Sequence, residues 1–198
     1  MQSTALENIQ KLRNYKEDRC LCIAATGTGK TYLAAFDVKI FNPKKLLFIV
    51  HNENILNSAI ESFKKIMPQK IYGKFTGTNK NKKAEYIFST IQSMSKHYKE
   101  FKNDEFDYII IDEAHHITAK SYQEIINYFS PKFLLGLTAT PERCDGGNIY
   151  EVFNLNIPVE LRLQEALDNN LVVPFHYFGV KDIDEINLKD MNGKDIKK

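Results

Sequence analysis

Tryptophan is absent from the 198 residues, and cysteine is scarce: Cys20, Cys22 and Cys144 are the whole set. An odd count excludes a closed disulfide framework. Cys20 and Cys22 stand two apart in an apolar run, on one face of a strand, where small core fillers belong. The five histidines show no metal-ligand spacing. No apolar run approaches the roughly 20 residues of a membrane span. The N-terminus, MQSTALENIQKLRNYKEDR, is amphipathic and charged, without the apolar core of a secretory signal. A cytoplasmic protein with no membrane partner is therefore expected. A large charge excess is missing too: the net charge is +2, so the chain as a whole is not polybasic. With nine glycines and six prolines, it contains no low-complexity tract and no internal repeat.

What remains is an ordinary globular composition, 43% hydrophobic, in a chain long enough for one domain with a sizeable core. Apolar, β-branched runs alternate with amphipathic ones. Strands are expected at Leu21–Ala25, Leu46–Val50, Tyr86–Ser89, Phe106–Ile111 and Phe133–Leu137, with a weak one near Lys70–Tyr72. Helices are expected at Ser3–Tyr15, Lys30–Phe41, Asn54–Met67, Ile91–Tyr98 and Ser121–Phe129, with Pro43 and Pro68 as stops. Further on, Ile157–Leu163 reads as a strand, Leu163–Asn170 as a short helix and Leu171–Gly179 as an edge strand interrupted by Pro174. Such alternation implies an α/β fold, a mostly parallel sheet sandwiched between helices. Ligands of such sheets bind beyond the carboxyl ends of the strands.

Three motifs fall at strand carboxyl ends. The first is Ala25-Thr26-Gly27-Thr28-Gly29-Lys30-Thr31, between an apolar strand and a helix. In that setting the backbone N–H groups and the helix N-terminus converge on an anion. Lys30 would reach the β- and γ-phosphates and the Thr31 hydroxyl would bind Mg²⁺. The usual pattern opens with Gly where this chain has Ala24; a small residue suffices there, because the close backbone approach falls at Gly27 and Gly29. The second is Asp112-Glu113-Ala114-His115, two acids ending a buried strand, costly unless a cation meets them. Asp112 would hold the Mg²⁺ shell and Glu113 would orient and deprotonate a water. A helix N-cap would use the same two acids. The third is Thr138-Ala139-Thr140-Pro141, two hydroxyls at a strand end that on their own need be no more than a strand-to-turn transition.

In that order the three resemble motifs I, II and III of a superfamily 2 helicase or translocase. The chain is similar, from about Gln2 to Val180, to the first RecA-like domain of DEAD/DEAH-box proteins of the type I and type III restriction-enzyme motor group. The resemblance implies a RecA-like P-loop NTPase domain over 1–180, with 181–198 as a polar linker toward a second motor domain. It implies ATP and Mg²⁺ as cofactors, and Glu113, Asp112 and Lys30 as catalytic residues. Gln2 would read the adenine edge, and Ala25 to Thr31 would wrap the phosphates. His115, Thr138 and Thr140 would couple nucleotide state to polymer grip. His51, Gly77, Thr90 and Gln92 would touch the nucleic-acid backbone. The family often has Arg after the position of His51, and here it is Asn52. DNA is favoured over RNA, and a nuclease or modification subunit is an implied partner. A second RecA-like domain would supply the arginine that completes the site, so the isolated chain is expected to hydrolyse ATP very slowly.

Between Lys64 and Lys83 lie seven lysines, no acid, and Tyr72 and Phe75. A mobile loop tracking a nucleic-acid backbone and a solvated lysine-rich surface fit equally on composition; the position between two strands tips toward the former. Arg143 stands near the third motif and reads as the partner of a surface acid. The competing reading of the whole chain is a non-enzymatic nucleic-acid-binding module that retains the fold. Intact Lys30, Thr31, Asp112 and Glu113 argue against it.

Overall fold

The structure, a computed structural model, describes residues 2–142, 148–169 and 171–172. The expectations for Arg143, Cys144, the 181–198 tail and all but the first two residues of the Leu171–Gly179 strand lie outside them.

Seven strands form one sheet: β1 (Arg19–Ala24), β2 (Leu46–Val50), β3 (Tyr72–Phe75), β4 (Tyr86–Thr90), β5 (Tyr108–Asp112), β6 (Phe133–Thr138) and β7 (Val159–Leu161), in the order β3-β4-β2-β5-β6-β1-β7. Every pairing among them is parallel. Strand alternation sorts the side chains into two cores. Cys20 and Cys22 face one layer with Phe48, Phe88, Tyr108 and Ile110. Leu21 and Ile23 face the other with Leu47, Ile49, Ile109 and Ile111. The first layer is covered by α1 (Gln2–Asn14), α2 (Lys30–Phe41) and α3 (Glu53–Ile66), through Ile9, Val38 and Phe63. The second is covered by α4 (Ile91–His97), α5 (Lys120–Tyr128) and the short α6 (Ile149–Val152), through Met94, Ile125 and Ile149. The last helix, α7 (Leu163–Asp168), packs Ala166 beside Leu161 and the end of β1.

Two packing devices hold the layers. Gly136 sits inside β6 because a Cβ there would come within 2.3 Å of the Phe153 ring. Arg13, at the end of α1, donates to Asp37 of α2 (2.9 Å) and to the Tyr108 hydroxyl (3.0 Å). Its guanidinium lies 4.2 Å from the Phe133 ring centroid. Asp37 is fully buried, so this pair replaces the water both groups give up.

One expectation is corrected. Lys64–Lys83 is not a mobile loop with stacking aromatics. Gly73 and Phe75 belong to β3, and Phe75 is buried against Phe101. The Tyr72 hydroxyl donates to Met67 O at 2.8 Å. Lys64 pairs with Glu61, Lys70 with Glu85 and Lys82 with Glu100, so three of the run's seven lysine charges meet acids, Glu61 and Glu100 outside it and Glu85 just past its end. The weak strand expected near Lys70–Tyr72 lies slightly later, at Tyr72–Phe75, with Gly73 and Phe75 on its buried face.

Candidate active site

Because all seven strands are parallel, their carboxyl ends share one rim. Neighbouring strands lie about 4.8 Å apart, so the rim from β4 to β1 is roughly 19 Å long. Along it stand Thr90, then His51 after β2, Asp112 ending β5, Thr138 ending β6, and the 25–31 turn after β1. The three motifs and the four expected polymer contacts are therefore strung along this rim, with Gly77 one strand further out, exposed in the turn after β3, where Thr76 N–H donates to Asn79 O at 2.7 Å.

The 25–31 turn is shaped by two left-handed glycines, Gly27 (φ +85°) and Gly29 (φ +88°), the latter capping α2. Ala24 ends β1 with no left-handed backbone, so the missing first glycine costs no strain. A Cβ on Gly29 would lie 2.8 Å from the Gln2 amide nitrogen, which puts Gln2 directly against the turn. Thr28 folds its hydroxyl back onto Ala25 O at 2.7 Å. Lys30 Nζ donates to Ala24 O (2.8 Å) and Ala25 O (3.2 Å), so the ammonium is parked on the turn itself. Thr26 is exposed and Thr31 half-buried.

The acids lie beside it. Asp112 is 8% exposed. Burial, then the charge of Glu113, push its carboxyl up to about 6, while the Glu113 N–H (3.1 Å) and Lys30 pull the other way. Burial lowers the Lys30 ammonium, and Glu113 and Asp112 raise it. Three charges thus share one field, and burial together with Glu113 outweighs what Lys30 gives Asp112. Asp112 and Glu113 supply hard carboxylate oxygens, and Thr31, next to Lys30 in sequence, supplies a hydroxyl; this donor set fits a magnesium ion that keeps several waters and takes few protein ligands. Among the described residues, no group of three or more His, Cys, Asp and Glu could hold a metal without other ligands. Glu113 itself has left-handed backbone, φ +52°, at the head of a one-turn helix over Ala114–His116. Such strain in a non-glycine residue persists where the surroundings fix it.

His115 ties the second motif to the third. Its Nδ1 lies 3.3 Å from Glu113 Oε2 and 3.2 Å from Thr138 Oγ1. Nδ1 thus sits between the acid of the second motif and the hydroxyl of the third. Thr138 Oγ1 also accepts from Thr140 N–H at 3.2 Å. On the other half, Gln92 donates to His51 O at 3.2 Å, and both side chains are exposed, while Thr90 is largely buried. Asn52 caps α3, accepting from Asn54 N–H at 2.9 Å; a helix cap is what the position holds instead of an arginine.

Three residues escaped the sequence. Tyr122 of α5 has a buried hydroxyl without a hydrogen-bond partner, raised by burial and then by Asp112 and Glu113. Val172 packs 3.6 Å from where a Gly27 Cβ would stand. His116 stacks on His51 and meets the His115 ring at a tilt. Tyr122 and Val172 carry no motif signal, and His116 lies one residue past the second motif.

The family described as type III restriction enzyme, res subunit, matches residues 1–143. The type I restriction enzyme EcoAI endonuclease subunit of Escherichia coli is 31% identical over 187 residues, 85% of this chain and 22% of that protein. The DNA 3′-5′ translocase XPB2 of Sulfurisphaera tokodaii is 33% identical over 134 residues, 66% of this chain and 29% of that protein. The helicase domain of Pyrococcus furiosus Hef superimposes with a TM-score of 0.62 at 22% identity, covering 79% of this chain and 37% of that one. The chain thus spans about a fifth to a third of the curated relatives it matches. Among the described residues, no helix is long and apolar enough to cross a membrane.

Proposed function

Because the chain belongs to the family of the type III restriction enzyme res subunit, we propose that it is the ATP-binding domain of a nucleic-acid-dependent ATPase, a helicase or DNA translocase. It works within a longer protein that brings a second motor domain against this rim. The observation that carries the reading is one shared field: at the mouth of a left-handed glycine turn, Lys30 sits on the Ala24 and Ala25 carbonyls within the field of Asp112 and Glu113, and the Glu113 charge raises the Asp112 carboxyl.

The N–H groups of Thr26 to Thr31 cradle the phosphates, with the α2 N-terminus behind them. Lys30 leaves the Ala24 and Ala25 carbonyls and meets the β- and γ-phosphate oxygens. Gln2, already against Gly29, reads the base. Thr31 and Asp112 would hold magnesium, which would supply positive charge to the phosphates. Glu113 orients the attacking water and takes its proton. His115 holds Glu113 to Thr138 and Thr140, so the carboxylate's position follows the third motif. His51, Gly77, Thr90 and Gln92 contact the polymer backbone, DNA rather than RNA in view of the restriction-enzyme kinship. A nuclease or modification subunit is the further partner that kinship supports.

Calorimetric titration of nucleotide tests the reading. Mg·ATP should bind the parent chain, lose most of its affinity when magnesium is chelated, and bind Lys30→Ala about 100-fold more weakly. Glu113→Gln should bind without turnover. Equal binding to Lys30→Ala and the parent would refute the phosphate-turn assignment.

A further inference from the structure

Three imidazoles stand in file between the polymer half of the rim and the acid pair. His51 and His116 stack with centroids 5.1 Å apart and planes 28° apart. His116 and His115 follow at 4.1 Å and 47°. At one end, Gln92 donates to the His51 carbonyl at 3.2 Å, and the His51 ring is exposed. At the other end, His115 Nδ1 is within 3.3 Å of Glu113 Oε2 and 3.2 Å of Thr138 Oγ1. The register explains the meeting. Ile49 of β2 pairs with Ile111 of β5, so the residues just past each strand, His51 and the Ala114–His116 turn, emerge side by side.

We infer that His116 is a positioning residue, the middle ring through which nucleic acid at His51 and nucleotide at Glu113 sense each other. The inference rests on the proposed function and adds to it the part that joins its two halves. Planar rings in contact do not compress; packed groups shift between discrete arrangements. Whatever engages His51 and turns its ring turns His116, and then His115, whose Nδ1 fixes the Glu113 carboxylate. His116 itself touches neither ligand in this scheme. Its removal should leave each binding event intact and cut the exchange between them.

Adjacency is not coupling, and the coupling factor is what decides. By reciprocity, nucleotide changes nucleic-acid affinity by the factor that nucleic acid changes nucleotide affinity. The test measures anisotropy of a fluorescently labelled DNA oligonucleotide titrated with the 198-residue chain, with and without Mg²⁺ and a non-hydrolysable ATP analogue. The reciprocal titration uses a fluorescent nucleotide. The parent should show a factor of about 5 or more, the lower end for allosteric pairs. His116→Ala should bind each ligand alone as the parent does, with the factor falling toward 1. His116→Phe, which keeps a flat ring, should restore it. An unchanged factor in His116→Ala, or a parent factor of 1, overturns the inference while the functional reading stands. A fall in His116→Phe equal to that in His116→Ala also overturns it, since stacking would not be the cause. A parent that binds no nucleotide sinks the functional reading, and the inference with it.

Discussion

The two halves of the carboxyl rim are built on opposite plans. From β5 to β1 the chain buries charge and bends its backbone: Asp112 is 8% exposed, Lys30 is desolvated, and Gly27, Gly29 and Glu113 are left-handed. From β3 to β2 it exposes His51, Gln92 and Gly77 on ordinary backbone, with no carboxylate or ammonium among them. The first half holds destabilising features that a bound polyanion and its cation would relieve. The second costs the fold nothing. A site that must grip a small, highly charged ligand needs preorganised charge; one that slides along a polymer does better with neutral, replaceable contacts.

The sharpest way to break this contrast is Lys30→Ala. Truncating one partner of a buried charged contact costs about 2–5 kcal/mol, so nucleotide affinity should fall by about 100-fold while nucleic-acid affinity without nucleotide stays put. Titration of both ligands checks it, and a parallel loss of both would erase the division of the rim.

Next in size is Asp112, through stability. Native Asp112 holds its proton up to about 6, whereas the unfolded chain releases it near 3.8. Between those values the native state binds more protons, so stability falls as pH rises through the window. Asp112→Asn should remove that slope and make the ligand-free protein more stable at neutral pH by about 1–3 kcal/mol. Denaturant unfolding at pH 4 and pH 7 reads it. A variant less stable than the parent at pH 7 would mean the acid is already compensated.

Gly29→Ala should cost about 1 kcal/mol from its left-handed backbone, because the Gln2 amide can swing aside. Displacing Gln2 should also weaken discrimination of ATP from GTP, read by competition. Smallest is Gln92→Ala, which should weaken nucleic-acid binding by about 1 kcal/mol or less and leave nucleotide affinity unchanged, since it removes a single neutral contact and its bond to the His51 carbonyl.

How much of this the sequence carried depended on whether a feature is local. The phosphate turn, the acid pair and the two threonines are each a few consecutive residues at a strand end, and strand alternation with parallel pairing put them on one rim. α2 and β2 match their expected spans, because Asn42-Pro43 and buried runs mark their ends. The lysine-rich stretch misled because lysine count hid the buried Gly73–Phe75 face of a short strand, and because the acids that pair with it, Glu61, Glu85 and Glu100, lie outside it. The Arg13–Asp37–Tyr108 cluster joins residues 24 and 71 or more positions apart, and nothing local announces it. The same is true of the His51–His116 stack and of the buried Tyr122 hydroxyl. Asn52 looked like a lost contact and is a helix cap.

The account turns on where the cation sits. With the non-hydrolysable ATP analogue bound, Mn²⁺ in place of Mg²⁺ should broaden the backbone resonances of Thr31 and Asp112 before any others, measured by NMR on the labelled chain. Broadening that spares both residues, or that centres on the β3–β4 side of the rim, would contradict it.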